Sequence, residues 1–350
     1  MEAQLIPELT KICQAVKIAS PTEASFAGRR VPEVGIPGQQ PMSQQQMLAS
    51  GQNPMIWRLQ SQLYMYCYCQ QFTGTIPEEP KPDHPSQVQD PNFLQSLSQA
   101  NTSRERWESG WQIYRVEASS QVMAQKFGTN RMFWPGQFFC QEGAGMAPRV
   151  GANISVFLPR ESFTIQPGFY YVFSETQIGY EDDYNQVRFY WHLQEQGAAT
   201  LIRCLTQKLN QFQVPFRFKC LTSWNSNLPR SDSAVLFVSK RFTQITARLL
   251  SEVYPKIEKY LEPRTPLFSK QLAPGLGLAE DPSNGDSFGL NRCRILAEGI
   301  WNAYSKGLQT ERDQLGEVIQ QFNQYGISLE RPYLSAGSIE QYQFPNLFVE

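Results

Sequence analysis

Histidine is almost missing from this chain: its 350 residues hold two. The seven cysteines (Cys13, Cys67, Cys69, Cys140, Cys204, Cys220, Cys293) never fall into paired CxxC spacing, so no ligand set for structural zinc is visible. Charge is also scarce, at 18% of residues with a net of -1, and no basic stripe runs along the chain, which argues against a nucleic-acid partner. No apolar run approaches the ~20 residues of a membrane span, and the start lacks a basic segment followed by an apolar one. The expectation is a soluble, cytoplasmic protein with free thiols, no metal and no cofactor. Cys67 and Cys69 form a CxC inside an aromatic run, which reads as buried packing rather than metal binding. GLGLAEDPSNGDSFG lacks the Gly-x4-Gly-Lys-Ser/Thr pattern of a phosphate-binding loop, and no Cys-x5-Arg loop is present.

What is abundant is apolar and loop-forming: 41% hydrophobic and 13% aromatic residues beside 24 prolines and 23 glycines, the mark of a folded chain with many turns. Leu5, Leu9, Ile12 and Val16 recur near helical spacing, and residues 28–54 form a Gln, Pro and Gly-rich arm. Residues 57–72 and 91–125 also carry helical periodicity, the latter through Phe93, Leu94, Leu97, Trp107, Trp111 and Tyr114. Between these two stretches lie Pro77, Pro80, Pro82 and Pro85. The period then shortens: NISVFLP, GFYYVFSET, QVRFYWHL, PFRFKCL and AVLFVSK read as strands. GAATLIRCLTQKLNQF, TQITARLLSEVYPKIEKYL and RCRILAEGIWNAYSKG read as helices. This predicts an α+β chain: a mainly helical region over 1–150, then a domain over 151–350 in which a mixed sheet is flanked by helices.

Three polar residues stand out inside those strands. His192 follows Arg188 and Tyr190 by alternation onto one strand face, leaving Phe189, Trp191 and Leu193 on the other; alone, such a histidine is more often structural than functional. Lys219 sits among Phe216, Phe218, Cys220 and Leu221, where it must either snorkel to solvent or lose charge by desolvation, the direction a general base needs. Arg230 opens the apolar strand in PRSDSAVLFV, facing a cleft or pairing with Asp232. Lys270, Arg292 and Arg294 add cations, the last two placed near a helix start that could face an anion.

Four segments taken together, QPGFYYVFSET, VRFYWHLQEQGAATLIRCLTQKLNQFQVPFRFKCL, PRSDSAVLFV and TPLFSKQLAPGLGLAEDPSNGDSFGLNRCRILAEGIWNAY, resemble the HopA-type effector family of plant-pathogenic bacteria over roughly residues 150–345. That family is similar to bacterial effector phosphothreonine lyases and to the lyase components of class III, IV and V lanthipeptide synthetases. The resemblance implies a phosphothreonine-lyase-like fold, with Lys219 as general base and His192 as general acid. It implies a phosphate site of Arg230 with Lys270, Arg292, Arg294 and Arg188. The expected activity is elimination of phosphate from phosphoserine or phosphothreonine in a precursor peptide, with a Ser/Thr kinase-like partner supplying the phosphorylated peptide. The other reading is an effector that binds phosphopeptide or a host partner without catalysis. One position departs from the pattern: pathogen lyases carry lysine two residues before the histidine, where this chain has Tyr190.

Overall fold

In a computed structural model, the described residues are 2–32, 53–76, 90–143, 145–224, 229–282, 284–308, 310–344 and 348. Most of the arm (33–52) and the proline cluster at 77–85 lie outside them. The chain starts with α1 (Glu2–Ala15), followed by a small antiparallel sheet of β1 (Val16–Ser20), β2 (Glu23–Phe26) and β3 (Arg29–Arg30). Helices α2 (Pro54–Leu63) and α3 (Pro91–Ala100) share one local logic. Asn53 and Asp90 accept a backbone N–H from the residue two ahead, and proline fills the first helical position, where no donor is needed. A π-helical turn, Tyr64–Tyr68, continues α2 directly.

The helical reading of 91–125 fails after Ala100. Residues Arg106–Val116 form a long strand, β4, inside a five-stranded sheet with β5 (Val122–Lys126), β6 (Thr129–Phe133), β7 (Phe138–Cys140) and β8 (Asn153–Leu158). Trp107, Trp111 and Tyr114 imitate helical spacing because the register of β4 against β8 slips between Glu108 and Trp111, around Gly110 at φ +84°. Such a bulge resets the two-residue alternation. Trp107 is therefore 51% exposed while Trp111 is buried at 0%. A boundary at 150 would cut this sheet, since β8 pairs with both β4 and β7. Its small core, centred on Trp111, Ile113 and Ile154, is separate from the main one.

The larger sheet has seven strands in the order β14-β15-β11-β13-β12-β10-β9. They are β9 (Glu161–Ser162), β10 (Phe169–Phe173), β11 (Gln186–Trp191), β12 (Phe216–Leu221), β13 (Ala234–Ser239), β14 (Lys270–Ala273) and β15 (Leu276–Glu280). Every pairing between neighbours is antiparallel, so the expected mixed sheet is corrected; β11 and β12 run parallel only across the intervening β13. The helices between them are α4 (Tyr180–Tyr184), α5 (Ala198–Gln211) and α6 (Thr243–Ile257), and α7 (Phe288–Ser305) and α8 (Glu311–Gln324) follow. The α+β class and the five strands read from the sequence stand.

Directly opposed residues share a face. One face carries the rows Phe189, Leu236, Phe218, Val172 and Trp191, Ala234, Cys220, Tyr170. All eight are buried to 0% or 1%, and each large apolar side chain among them contributes ~1.5–3 kcal/mol through burial. Helix α5 lies on this side: the Tyr170 hydroxyl meets the Asn101 amide at 3.1 Å, and the next residue, Thr102, meets Thr206 of α5 at 2.8 Å. The opposite face is covered by the π-turn and α7. Tyr68 meets Tyr190 edge-on at 6.3 Å, and both meet Phe288 at 6.2 Å. Glycine is required at 289, because a Cβ there would stand 2.4 Å from the Tyr68 ring. The N-terminal helices therefore share the main core with the sheet, rather than forming a region of their own.

Candidate active site

The face under the π-turn presents Arg188 and Tyr190 from β11, Arg217 and Lys219 from β12, and Tyr171 from β10. Lys219 stands opposite Val235 and Tyr171, and Val235 opposite Tyr190. The Lys219 ammonium has no carboxylate in contact among the described residues. It donates to Gln166 Oε1 at 2.9 Å and lies 4.3 Å from the centre of the Phe169 ring, with the Tyr171 and Phe237 rings at 5.9 and 6.0 Å. Burial pushes its pKa down to about 8; Arg188 and Arg230 push the same way against Asp232. Lys219 thus does not snorkel into an ion pair among the described residues, and it gives up its proton more readily than an ordinary lysine.

Asp232 is the hub beside it. Its carboxylate, 6% exposed, takes Arg230 in a two-pronged pair, Nε to Oδ1 at 2.9 Å and Nη2 to Oδ2 at 3.0 Å. The Tyr64 hydroxyl closes the group, donating to Asp232 Oδ2 at 3.3 Å and accepting from Arg230 Nη2 at 3.2 Å. Burial would raise the Asp232 pKa, but Arg230 and the hydrogen bonds hold it below the ordinary carboxylate value. Arg230 is held well above its own ordinary value despite burial. Ser231, between the two, is tied to the π-turn by its N–H to Cys69 O (2.7 Å) and its hydroxyl to Tyr68 O (2.9 Å). The N-terminal segment thereby builds part of the site. A π-turn is a frequent companion of functional positions because its extra residue re-aims the side chains that follow.

His192 stands one residue past the end of β11. Its Nδ1 lies 3.2 Å from the Arg264 carbonyl oxygen, which can only accept, so Nδ1 carries a proton and Nε2 is the reactive nitrogen. Nε2 is buried with no hydrogen-bond partner among the described residues. Burial lowers the His192 pKa, and the Arg264 carbonyl opposes this, as do the charges of Glu262 and Asp232. Asp232 thus acts on both His192 and Lys219.

The remaining cations divide. Arg188 lies on the working face but is paired with Asp281 and stacked 5.2 Å from the Phe237 ring. Tyr190 is 2% exposed, and its hydroxyl, beside Tyr68 and Arg188, makes no well-directed hydrogen bond. Lys270 is not brought to the site: it opposes Leu278, which opposes Phe189, so it belongs to the other face, where it pairs with Glu340 at 3.0 Å. Arg292, 1% exposed, spends its fork on Pro332 O (2.8 Å), Leu334 O (2.7 Å) and Asn291 Oδ1 (2.5 Å). It tethers the C-terminal segment instead of facing an anion. Arg294 is held by Glu298 at 2.8 Å, Tyr325 at 2.9 Å and Asp286 at 3.5 Å. Both lie beyond the first turn of α7, whose N-cap Ser287 satisfies the Leu290 N–H. Tyr64, Gln166 and Asp232 were missed as site residues. Only Asp232 had a signal, as the ion-pair partner proposed for Arg230.

Among the described residues, no cluster of three or more His, Cys, Asp or Glu side chains is placed to hold a metal ion. No helix among them is long and apolar enough to cross a membrane. Cys67 and Cys69 are buried, unbridged thiols whose pKa values burial pushes up.

An antiparallel α+β protein with a desolvated lysine beside a buried Arg/Asp/Tyr group is the class that this geometry defines. Residues 161–334, which include every strand of the seven-stranded sheet, match the HopA1 effector protein family. Two solved structures are similar. One is the effector protein from Pseudomonas syringae pv. tomato strain DC3000, at 15% identity over 72% of this chain and 83% of that one, with a TM-score of 0.42. The other is the effector protein from Pseudomonas syringae pv. syringae strain 61, at 13% identity over 83% and 94%, with a TM-score of 0.43. No curated protein matches the sequence.

Proposed function

We propose that this protein is a lyase that eliminates phosphate from phosphoserine or phosphothreonine in a peptide, leaving dehydroalanine or dehydrobutyrine. The observation that carries the proposal is Lys219, an amine with no acid in contact among the described residues, whose pKa burial lowers to about 8. In the reaction its neutral Nζ takes the Cα proton. The Cα–H electron pair becomes the second Cα–Cβ bond, and the Cβ–O bond breaks with its pair leaving on phosphate. Before phosphate binds, the depressed pKa of His192 favours neutral imidazole. A bound phosphate dianion raises that pKa, so Nε2–H can hydrogen-bond or protonate the departing oxygen, a contribution of typically 10²–10⁴-fold. Arg230 Nη1 makes no hydrogen bond to the described residues, and it is the arm left for phosphate once Asp232 and Tyr64 are satisfied. Charge that grows on phosphate as it departs is what this arm must stabilise for the rate to rise.

A kinase acting earlier would supply the phosphorylated peptide, which fits a precursor modified in lanthipeptide-type biosynthesis. A second reading, phosphopeptide binding without turnover, is favoured by one observation: Arg188, Arg230, Lys270 and Arg294 are all already paired with carboxylates. Incubation with a phosphothreonine peptide separates the two. The lyase yields a product lighter by one phosphoric acid that adds thiols. Recovery of the hydroxyl peptide would indicate a phosphatase, and unchanged bound peptide would establish the binding reading.

A further inference from the structure

Beyond the reacting group, a cleft of about 320 Å³ opens where the five-stranded sheet meets the ends of β10 and β12. Arg106, Arg131 and Arg217 line it with Asp183, over an apolar floor that includes Phe173 and Phe216. Its charges do not balance. Arg217 Nη2 takes Asp183 at 2.8 Å and Gln186 Oε1 at 3.1 Å. Glu108, the other nearby carboxylate, is shared by Arg106 at 3.7 Å, Lys126 at 3.6 Å and the Trp111 indole N–H at 2.8 Å. Arg131 is left half-buried, its guanidinium 6.0 Å from the Trp111 ring centre and without a hydrogen bond or ion pair to the described residues. Burial weakens its hold on its proton; the charges of Asp183 and Glu108 oppose this, and the repulsion of Arg217 and Arg106 adds to it. A desolvated guanidinium beside two others is a site short of an anion.

The cleft is aligned with the reacting lysine. Arg217 lies two residues before Lys219 on β12 and on the same face, ~7 Å along the strand. We propose that Arg131, with Arg217 and Arg106, forms a subsite for an acidic side chain of the same peptide, an Asp or Glu two to four residues from the phosphorylated one. An extended peptide lying along β12 spans that distance, and its carboxylate supplies the missing charge to Arg131. This rests on the lyase reading for its substrate, but its test is a binding measurement.

Fluorescent phosphothreonine peptides carrying Glu, Gln or Lys at each flanking position are titrated by anisotropy at low salt. The Glu peptide should bind about five- to tenfold tighter than the Gln peptide at one or two positions, and the Lys peptide weaker still. Arg131→Gln should abolish that preference, so that the Glu and Gln peptides bind alike. Arg131→Glu should reverse it in favour of the Lys peptide, a gain that an unfolded variant cannot give. Equal affinity for the three peptides, or a preference that survives both substitutions, overturns the subsite. A retained Glu preference without any elimination product would sink the lyase reading and leave the subsite standing.

Discussion

On one face of the seven-stranded sheet Phe189, Phe218 and Leu236 are 0–1% exposed; one residue along the same strands, the other face offers Tyr190, Lys219 and Phe237. The backbone is common to both, so what differs is the cover. Helix α5 brings an amphipathic stripe to the first face, whereas the π-turn and α7 bring Tyr64, Tyr68 and Phe288 to the second. Lys219 itself lies against the rings of Phe169, Tyr171 and Phe237, and burial there outweighs the charge of Asp232. A cation on the first face, Lys270, keeps a carboxylate partner and so keeps ordinary ion-pair behaviour. The lowered pKa of Lys219 thus follows mainly from the loss of solvent.

The strongest way to break that contrast is Lys219→Met. Elimination should fall at least ~10³-fold with phosphopeptide binding retained, measured by mass-resolved product formation. The same change should stabilise the fold by about 1–3 kcal/mol at pH 7 in denaturant titration. The sign follows from the lowered pKa: charging Lys219 in the folded state costs stability below about pH 8, and that cost fades as pH rises past the ordinary lysine value of 10.5, so the gain should vanish there. A gain that persists at high pH would mean that packing, not charge, explains it.

Asp232→Ala comes next. It strands Arg230 in a buried position and should cost about 3–5 kcal/mol, visible as a lower midpoint of unfolding. Because the folded-state pKa of Asp232 is depressed, its contribution is present above the ordinary aspartate value and is lost as pH falls through the lower folded one. The wild type should therefore lose its advantage over the variant only in strong acid. The smallest effect is expected at Lys270→Ala, about 0–1 kcal/mol in stability and less than twofold in elimination rate. A large drop in rate at this position would contradict its assignment to the far face.

Much of the working sheet was legible because strands such as QVRFYWHL and PFRFKCL alternate with few interruptions. Arg188 and Tyr190 were placed by that alternation, Lys219 by its apolar neighbours and Arg230 by its position just before a strand. Where the period is broken, the reading failed: the bulge at Gly110 gave Trp107 and Trp111 a helix-like spacing, and a strand was taken for a helix. Lys270, Arg292 and Arg294 were grouped as cations near an anion, yet their partners Glu340, Pro332, Leu334 and Glu298 lie 70, 40, 42 and 4 residues away. Local sequence carries no record of the long-range pairs. Tyr64 was invisible for the same reason, since nothing around it differs from an aromatic helix face.

That tyrosine has a bearing on how the protein comes to exist. Its bond to Asp232 joins positions 168 residues apart, and Arg292 locks the far end of the chain at Leu334. Contacts of such span close late, because loop entropy must be overcome before they can form. A fragment lacking α7 would have its strands but not the Phe288 ring that packs on Tyr68 and Tyr190. The face that carries Lys219 should therefore close only once α7 has joined the sheet.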